Sequence, residues 1–144
     1  MILAMIILDT NAISAPMVPK PEPRVLQWFD RQYSQDLYLT SITVAEMLAG
    51  IQKLPSGRRK DGISFAIDEL LNVTFVGRIL VFDVAAARSY ATVYEGLRKT
   101  GFNAEMADVQ IAAIAQLHGA RVATRDVKPF RAAGLNVINP WTDE

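Results

Sequence analysis

Short apolar runs that end on a polar or acidic residue alternate along the chain with longer stretches whose apolar residues recur at helical spacing. Residues 5–8 are such a run, closed by Asp9-Thr10-Asn11, and the pattern predicts a buried strand. Pro16, Pro19, Pro21 and Pro23 then make a stiff loop. Pro23 is placed to open a helix, because its missing N–H costs nothing in a first turn. Val25, Leu26, Trp28 and Phe29 give that helix an apolar face, up to about residue 34. Residues 37–40 read as a second strand, and Ser41 or Thr43 as the cap of a helix with Val44, Leu48 and Ile51 inward. Residues 56–62 read as a polar, basic turn, followed by a helical stripe of Ile63, Ala66, Ile67, Leu70 and Leu71. A third strand covers 79–82 and ends at Asp83. The helix after it, about 84–99, carries Ala87, Tyr90, Ala91, Tyr94 and Leu97 on one side and stops at Gly101. Another helix, about 105–118, turns Ile111, Ile114 and Ala115 inward and ends at Gly119. A fourth strand at 121–124, a helical turn at 127–133 and a last strand at 136–139 complete the pattern.

Strands that alternate with helices imply an α/β fold in three layers, a central, mostly parallel sheet with helices on both faces. With 144 residues, 51% of them apolar, the chain suits one domain spanning 1–144. In such sheets ligands bind beyond the carboxyl ends of the strands. Asp9 and Asp126 are placed at that edge by sequence alone.

Net charge is zero, which counts against a tight, non-specific nucleic-acid binder but leaves an RNA enzyme open. The absence of cysteine removes disulfides and thiolate metal sites. The apolar start stops at Asp9, too short to span a membrane and without a basic leader, so a cytoplasmic protein is expected. Met5 is an alternative start to Met1, since the strand pattern begins there.

Four acids stand at element ends: Asp9, Glu46, Asp108 and Asp126. Each has an ordinary reading. Asp9 can close a turn, Glu46 can be a solvated helix residue, Asp108 can complement a helix dipole, and Asp126 can cap a short turn. Brought together, they make an oxygen-rich, repelling pocket that retains protons unless a divalent cation fills it. Mg²⁺ or Mn²⁺ suits hard oxygen ligands, acidifies bound water and steadies charge on a phosphate. Asn11 and Thr124 can orient a carboxylate or a bound water, whereas Thr10 is read as satisfying local backbone. Glu105, one turn before Asp108, is left open.

Arg125, Lys128 and Arg131 follow the acidic site and are candidate RNA contacts. Arg58, Arg59 and Lys60 read as a solvated turn. His118, the single histidine, reads as structural at a helix end, which argues against a zinc site or a histidine base.

The segments Ile6-Ile7-Leu8-Asp9-Thr10-Asn11, Ser41-Ile42-Thr43-Val44-Ala45-Glu46, Ala107-Asp108-Val109-Gln110-Ile111-Ala112-Ala113 and Ala123-Thr124-Arg125-Asp126 together resemble the PIN-domain nucleases. The resemblance is to the VapC-type toxins of toxin–antitoxin pairs, including their FitB-like branch, and it covers essentially the whole chain. It implies a Mg²⁺- or Mn²⁺-dependent endoribonuclease, a homodimer held in check by a small cognate antitoxin, and contact with DNA only through that antitoxin. Asp9, Glu46 and Asp108 match the family's acidic core, with Asp9 and Asp108 as metal ligands. Asp126 matches a position where many relatives carry Asn, and Thr124 the Thr of that motif. Met47 and Leu48 are candidates for the antitoxin groove.

Two rival classes remain. A catalytically idle binding module in a DNA-bound repressor complex has no need of four intact acids. A phosphatase using Asp9 as nucleophile usually has a second Asp two residues on, but position 11 is Asn. The chain has no Gly-rich phosphate loop.

Overall fold

The computed structural model describes residues 4–142; Met1, weighed against Met5 as the start, lies outside them. Five parallel strands form one sheet in the order β3-β2-β1-β4-β5. They are β1 (Ile6–Leu8), β2 (Leu37–Thr40), β3 (Ile79–Leu80), β4 (Arg121–Ala123) and β5 (Val137–Ile138). The helices are α1 (Thr10–Ser14), α2 (Pro23–Asp30), α3 (Ser41–Gln52), α4 (Arg58–Glu69), α5 (Val84–Thr100), α6 (Met106–His118) and α7 (Lys128–Ala132). The expected α/β class and strand order of appearance hold.

Strand β1 is the middle of the sheet, and its alternation shows why a continuous apolar run was needed. Ile6 and Leu8 point into a core with Ala12, Trp28, Leu39, Met47 and Ile67. Ile7 points to the opposite face, among Val93, Ile111, Ile114, Val122 and Phe130. Both faces are covered, so no position on β1 can be polar. Each of these three side chains is at most 1% exposed, and full burial of such a residue is worth about 1.5–3 kcal/mol. The register aligns Ile7 with Tyr38 on one side and Val122 on the other.

Chain direction across the sheet reverses at β1. From it the chain steps to β2 and β3 on one side, then returns to β4 and β5 on the other. The carboxyl ends of β1 and β4 therefore flank a crevice of the kind where α/β sheets bind ligands. Among the described residues no helix is long and apolar enough to cross a membrane.

Several expectations shift in detail. The stretch after Asp9 is not loop from its start: α1 begins at Thr10, and a 3₁₀ turn spans Ala15–Met17 before Pro23 opens α2. Helix α2 stops at Asp30 rather than near 34. The cap of α3 is Thr40, whose hydroxyl accepts from Thr43 N–H at 3.2 Å, not Ser41 or Thr43. The inward face of α3 is Thr43, Met47 and Ile51, while Leu48 is exposed. Residues 58–62 belong to α4, not to a turn; Gly57, at φ 149°, makes the sharp entry that a side chain would resist. The buried face of α5 is Ala86, Val93 and Leu97. Tyr90 is half-buried, and Ala87, Ala91 and Tyr94 face outward. A π-helical turn, Leu70–Thr74, follows α4 without a sequence signal. Arg78 ties that turn to the start of β2 by donating to the carbonyls of Thr74, Ser34 and Leu37.

Candidate active site

Asp9 is the residue where strand becomes helix. Its N–H still pairs with the sheet, donating to Ala123 O at 3.0 Å, while its carboxylate caps α1 by accepting from Thr10 N–H at 2.8 Å. The other oxygen accepts from Thr124 Oγ1 at 2.8 Å and from Asn11 Nδ2 at 3.3 Å. Asp9 is 4% exposed and Thr124 0%, so this acid is held rigidly in the floor of the crevice. Burial pushes its pKa up. The Thr124 and Thr10 bonds oppose that rise, and the charges of Glu46 and Asp126 add to it.

Thr124 and Asn11 bind the β1 and β4 edges into one unit. Asn11 donates to Thr124 Oγ1 at 3.2 Å and accepts from Arg125 N–H at 2.9 Å. Thr124 Oγ1 also accepts from Asp126 N–H at 3.1 Å, which orients the loop after β4. Asn11 and Thr124 both hydrogen-bond to the Asp9 carboxylate.

Glu46 reaches the site from α3. It is exposed, yet Thr10 Oγ1 donates to its Oε1 at 2.6 Å. Behind Thr10 stand two fully buried hydroxyls, with Thr43 at 3.4 Å from Thr10 and Thr40 at 3.5 Å from Thr43. Thr10 thus does more than satisfy local backbone, and its alternation with Asp9 and Asn11 gave no hint of a partner on α3.

Asp108 sits in the first turn of α6, half-buried. Its pKa is pushed up to about 6, first by burial and then by the charges of Asp9, Asp126, Glu105 and Glu46. Exposed Glu105 stands immediately before α6 and its side chain caps nothing. All four predicted acids and Glu105 line one open cleft of 610 Å³.

The basic candidates separate. Lys128, at the start of α7, lines the cleft. Arg125 turns away into a neighbouring hollow, over the ring of Trp141. Arg131 is exposed in the last turn of α7 and does not line the cleft. Phe102, Asn103 and Ser14 also line the cleft, and nothing in their sequence context marked them. An apolar groove of 450 Å³ borders it, lined by Met17, Met47, Ile51 and Ile63 and sharing Thr10, Ser14 and Glu46 with the cleft. Met47 lines this groove; Leu48 does not.

Among the described residues no three acidic or histidine side chains form a ready-made metal cage. The acids face one cleft instead. That arrangement fits an ion held directly by one or two carboxylates and by the rest through water, as Mg²⁺ commonly is. The donor set is all oxygen, and a divalent cation relieves the mutual charge that adds to burial in raising Asp108.

The PIN domain family description matches residues 6–135. The chain is 48% identical over 137 residues to plasmid stability protein StbB of Pseudomonas syringae pv. tomato, covering 95% of this chain and 99% of that protein. It is 44% identical over 137 residues to the VapC ribonuclease Y4jK of Sinorhizobium fredii, covering 95% and 98%. With toxin FitB of Neisseria gonorrhoeae the identity is 42% over 139 residues, covering 96% and 100%. The crystal structure of FitAcB from that organism superposes with a TM-score of 0.90 at 42% identity, over 95% of this chain and 99% of that one. The structure of FitAB bound to an IR36 DNA fragment gives 0.91 at the same identity, over 95% and 96%.

Proposed function

The chain belongs to the PIN-domain family, in its VapC and FitB-like branch, and from that premise we propose that it is the toxin of a toxin–antitoxin pair and cleaves RNA. The observation that carries the reading is the convergence of Asp9, Glu46, Glu105, Asp108 and Asp126 on one cleft at the sheet's switch point.

Asp9 and Asp108 would hold Mg²⁺ or Mn²⁺, with Glu46 and Asp126 acting through water. When bound, the ion supplies Lewis-acid stabilisation of a phosphate and lowers the pKa of water. The protein's own contribution is orientation. Thr124, Asn11 and Thr10 N–H fix Asp9, and Thr10 Oγ1 aims Glu46. Deprotonated Asp108 is the form that serves the site. Lys128 lines the cleft and meets the negative phosphate, positioning it without reading sequence.

The protein works as a homodimer and is silenced by a small cognate antitoxin, which seats in the apolar groove beside Glu46. The solved FitAB and FitAcB structures support a partner protein of this kind. The structure of FitAB bound to a DNA fragment supports contact with DNA by the complex of toxin and partner, the basis of the alternative in which binding is the main work. The test is cleavage of total cellular RNA by antitoxin-free protein, with Mg²⁺ or Mn²⁺, with chelator, and beside Asp108→Asn. Discrete fragments that require both metal and Asp108 support the nuclease. Folded, metal-supplied protein that leaves RNA intact favours the binding module.

A further inference from the structure

A 370 Å³ hollow borders the acidic cleft across α1, and Asn11 and Ser14 line both spaces. Its chemistry is the reverse of the cleft's. The cleft gathers five carboxylates and Lys128; the hollow is lined by Lys20, Arg125 and Trp141 with Glu22 as its one acid. The Arg125 guanidinium lies 5.4 Å from the centre of the Trp141 ring. Both residues are fixed from behind. Arg125 N–H donates to Asn11 at 2.9 Å, Trp141 N–H to Asn139 Oδ1 at 3.0 Å, and Arg24 donates to the Trp141 carbonyl at 3.4 Å.

We propose that this hollow is a nucleotide subsite for an unpaired RNA strand, taking the nucleotide next to the scissile phosphate. Its base extends the stack made by Trp141 and Arg125, and its phosphate meets Lys20 and Arg125. Aromatic rings and guanidinium planes are what hold splayed-out bases of single-stranded RNA, and they tolerate any sequence. The charge separation gives a second reason. A polyanion is repelled by five carboxylates, and Lys20 and Arg125 beside the cleft offset that repulsion locally in a chain of zero net charge. The tie from Asn11 to Arg125 fixes the hollow's spacing from Asp9, so a strand that seats its base here carries its neighbouring phosphate toward the acids. A duplex keeps its bases stacked and cannot use the platform.

The inference rests on the ribonuclease reading, and the test separates the two. A labelled single-stranded RNA of mixed sequence is titrated by anisotropy, over a salt series, into the full-length Asp108→Asn protein and into the same protein carrying Arg125→Gln or Lys20→Gln. Affinity should fall about tenfold with Arg125→Gln, and the salt slope by about one for each lost phosphate contact. RNA should quench tryptophan emission, and Trp141→Phe, which retains a ring for packing, should remove that quench while Trp28 still reports the fold. Equal affinities and slopes in both charge variants, or a quench that survives Trp141→Phe, overturn the subsite. If the Asp108→Asn protein binds RNA in this way while wild type supplied with Mg²⁺ or Mn²⁺ cleaves none, the ribonuclease reading falls and the subsite stands. Wild type that cleaves, with an unchanged KM when Arg125→Gln alone is made in it, does the opposite.

Discussion

The Thr10 hydroxyl donates to Glu46 Oε1 at 2.6 Å, joining the first residue of α1 to an otherwise exposed acid on α3. Without it, a glutamate on a solvent-facing helix samples several rotamers. Thr10→Val keeps the shape and removes the bond, and Thr10→Ser keeps the bond. Cleavage should fall roughly 10- to 100-fold in the first and stay near wild type in the second, because residues that orient a metal-site ligand typically have effects of that size. Single-turnover rates of the two variants check this. Equal loss in both would mean that Thr10 acts through packing.

Asp108 gives the metal-free protein a pH-dependent stability. Its folded pKa, about 6, lies above the ordinary carboxylate value, so the folded state binds more protons between about pH 4 and 6. Stability therefore falls as pH rises through that window and stays reduced above it. Asp9, also raised, acts in the same direction. In chelator at pH 7.5, Asp108→Asn should melt a few degrees higher than wild type, with about 3 °C as the scale for a half-exposed, screened charge. The gap should close near pH 4. A gap of the same size at both pH values would mean that ionisation of Asp108 is not what weakens the metal-free protein.

Divalent metal should reverse that order. An ion that binds only the folded state raises the melting temperature with concentration, by mass action. Mn²⁺ should stabilise wild type and leave Asp9→Asn or Asp108→Asn nearly unmoved, and neither variant should cleave RNA. Scanning calorimetry across a Mn²⁺ titration reads the first effect directly. A wild-type curve flat to millimolar metal would argue against direct ligation by these two acids.

Thr124 is fully buried and bonds Asp9, Asn11 and Asp126 N–H. Thr124→Val deletes one hydroxyl and strands several partners. Unfolding free energy should fall by about 1–3 kcal/mol, the cost of leaving a buried polar group unsatisfied. Urea denaturation with an unchanged m-value would show that the loss is local. Asp126 is exposed and its N–H donates to Thr124, so Asp126→Asn should keep cleavage within about tenfold, since an amide oxygen can still accept from water or ion.

The first strand was legible in the sequence because its pattern had one reading. Ile6-Ile7-Leu8 followed by Asp9 has no helical phase to mistake. The four acids each had an ordinary reading as well; they line one cleft, although Glu46 lies in the middle of α3 and not at an element end. Helix phase was harder. Helix α3 is apolar nearly all round, so Val44-Leu48-Ile51 and Thr43-Met47-Ile51 fit equally well by period. Packing decides between them, since the buried Thr43 satisfies its N–H on Thr40. In α5 the many alanines blur the phase in the same way, and the true inward residues are set one position off at Ala86 and Val93. The basic run Arg58-Arg59-Lys60 sits at a helix start, where the dipole disfavours cations, so composition pointed to a turn. Trp141 and Lys20 lie far from Arg125 in sequence or in type, and only the fold makes them neighbours.

Helix α1 is five residues long, and its last residue, Ser14, lines the acidic cleft, the apolar groove and the basic hollow alike. Three spaces of different chemistry meet at one small side chain. A larger residue there intrudes on all of them at once, so a single substitution alters three surfaces together. Position 14 is a common constraint: no one of the three cavities can be reshaped through it while the other two stay as they are.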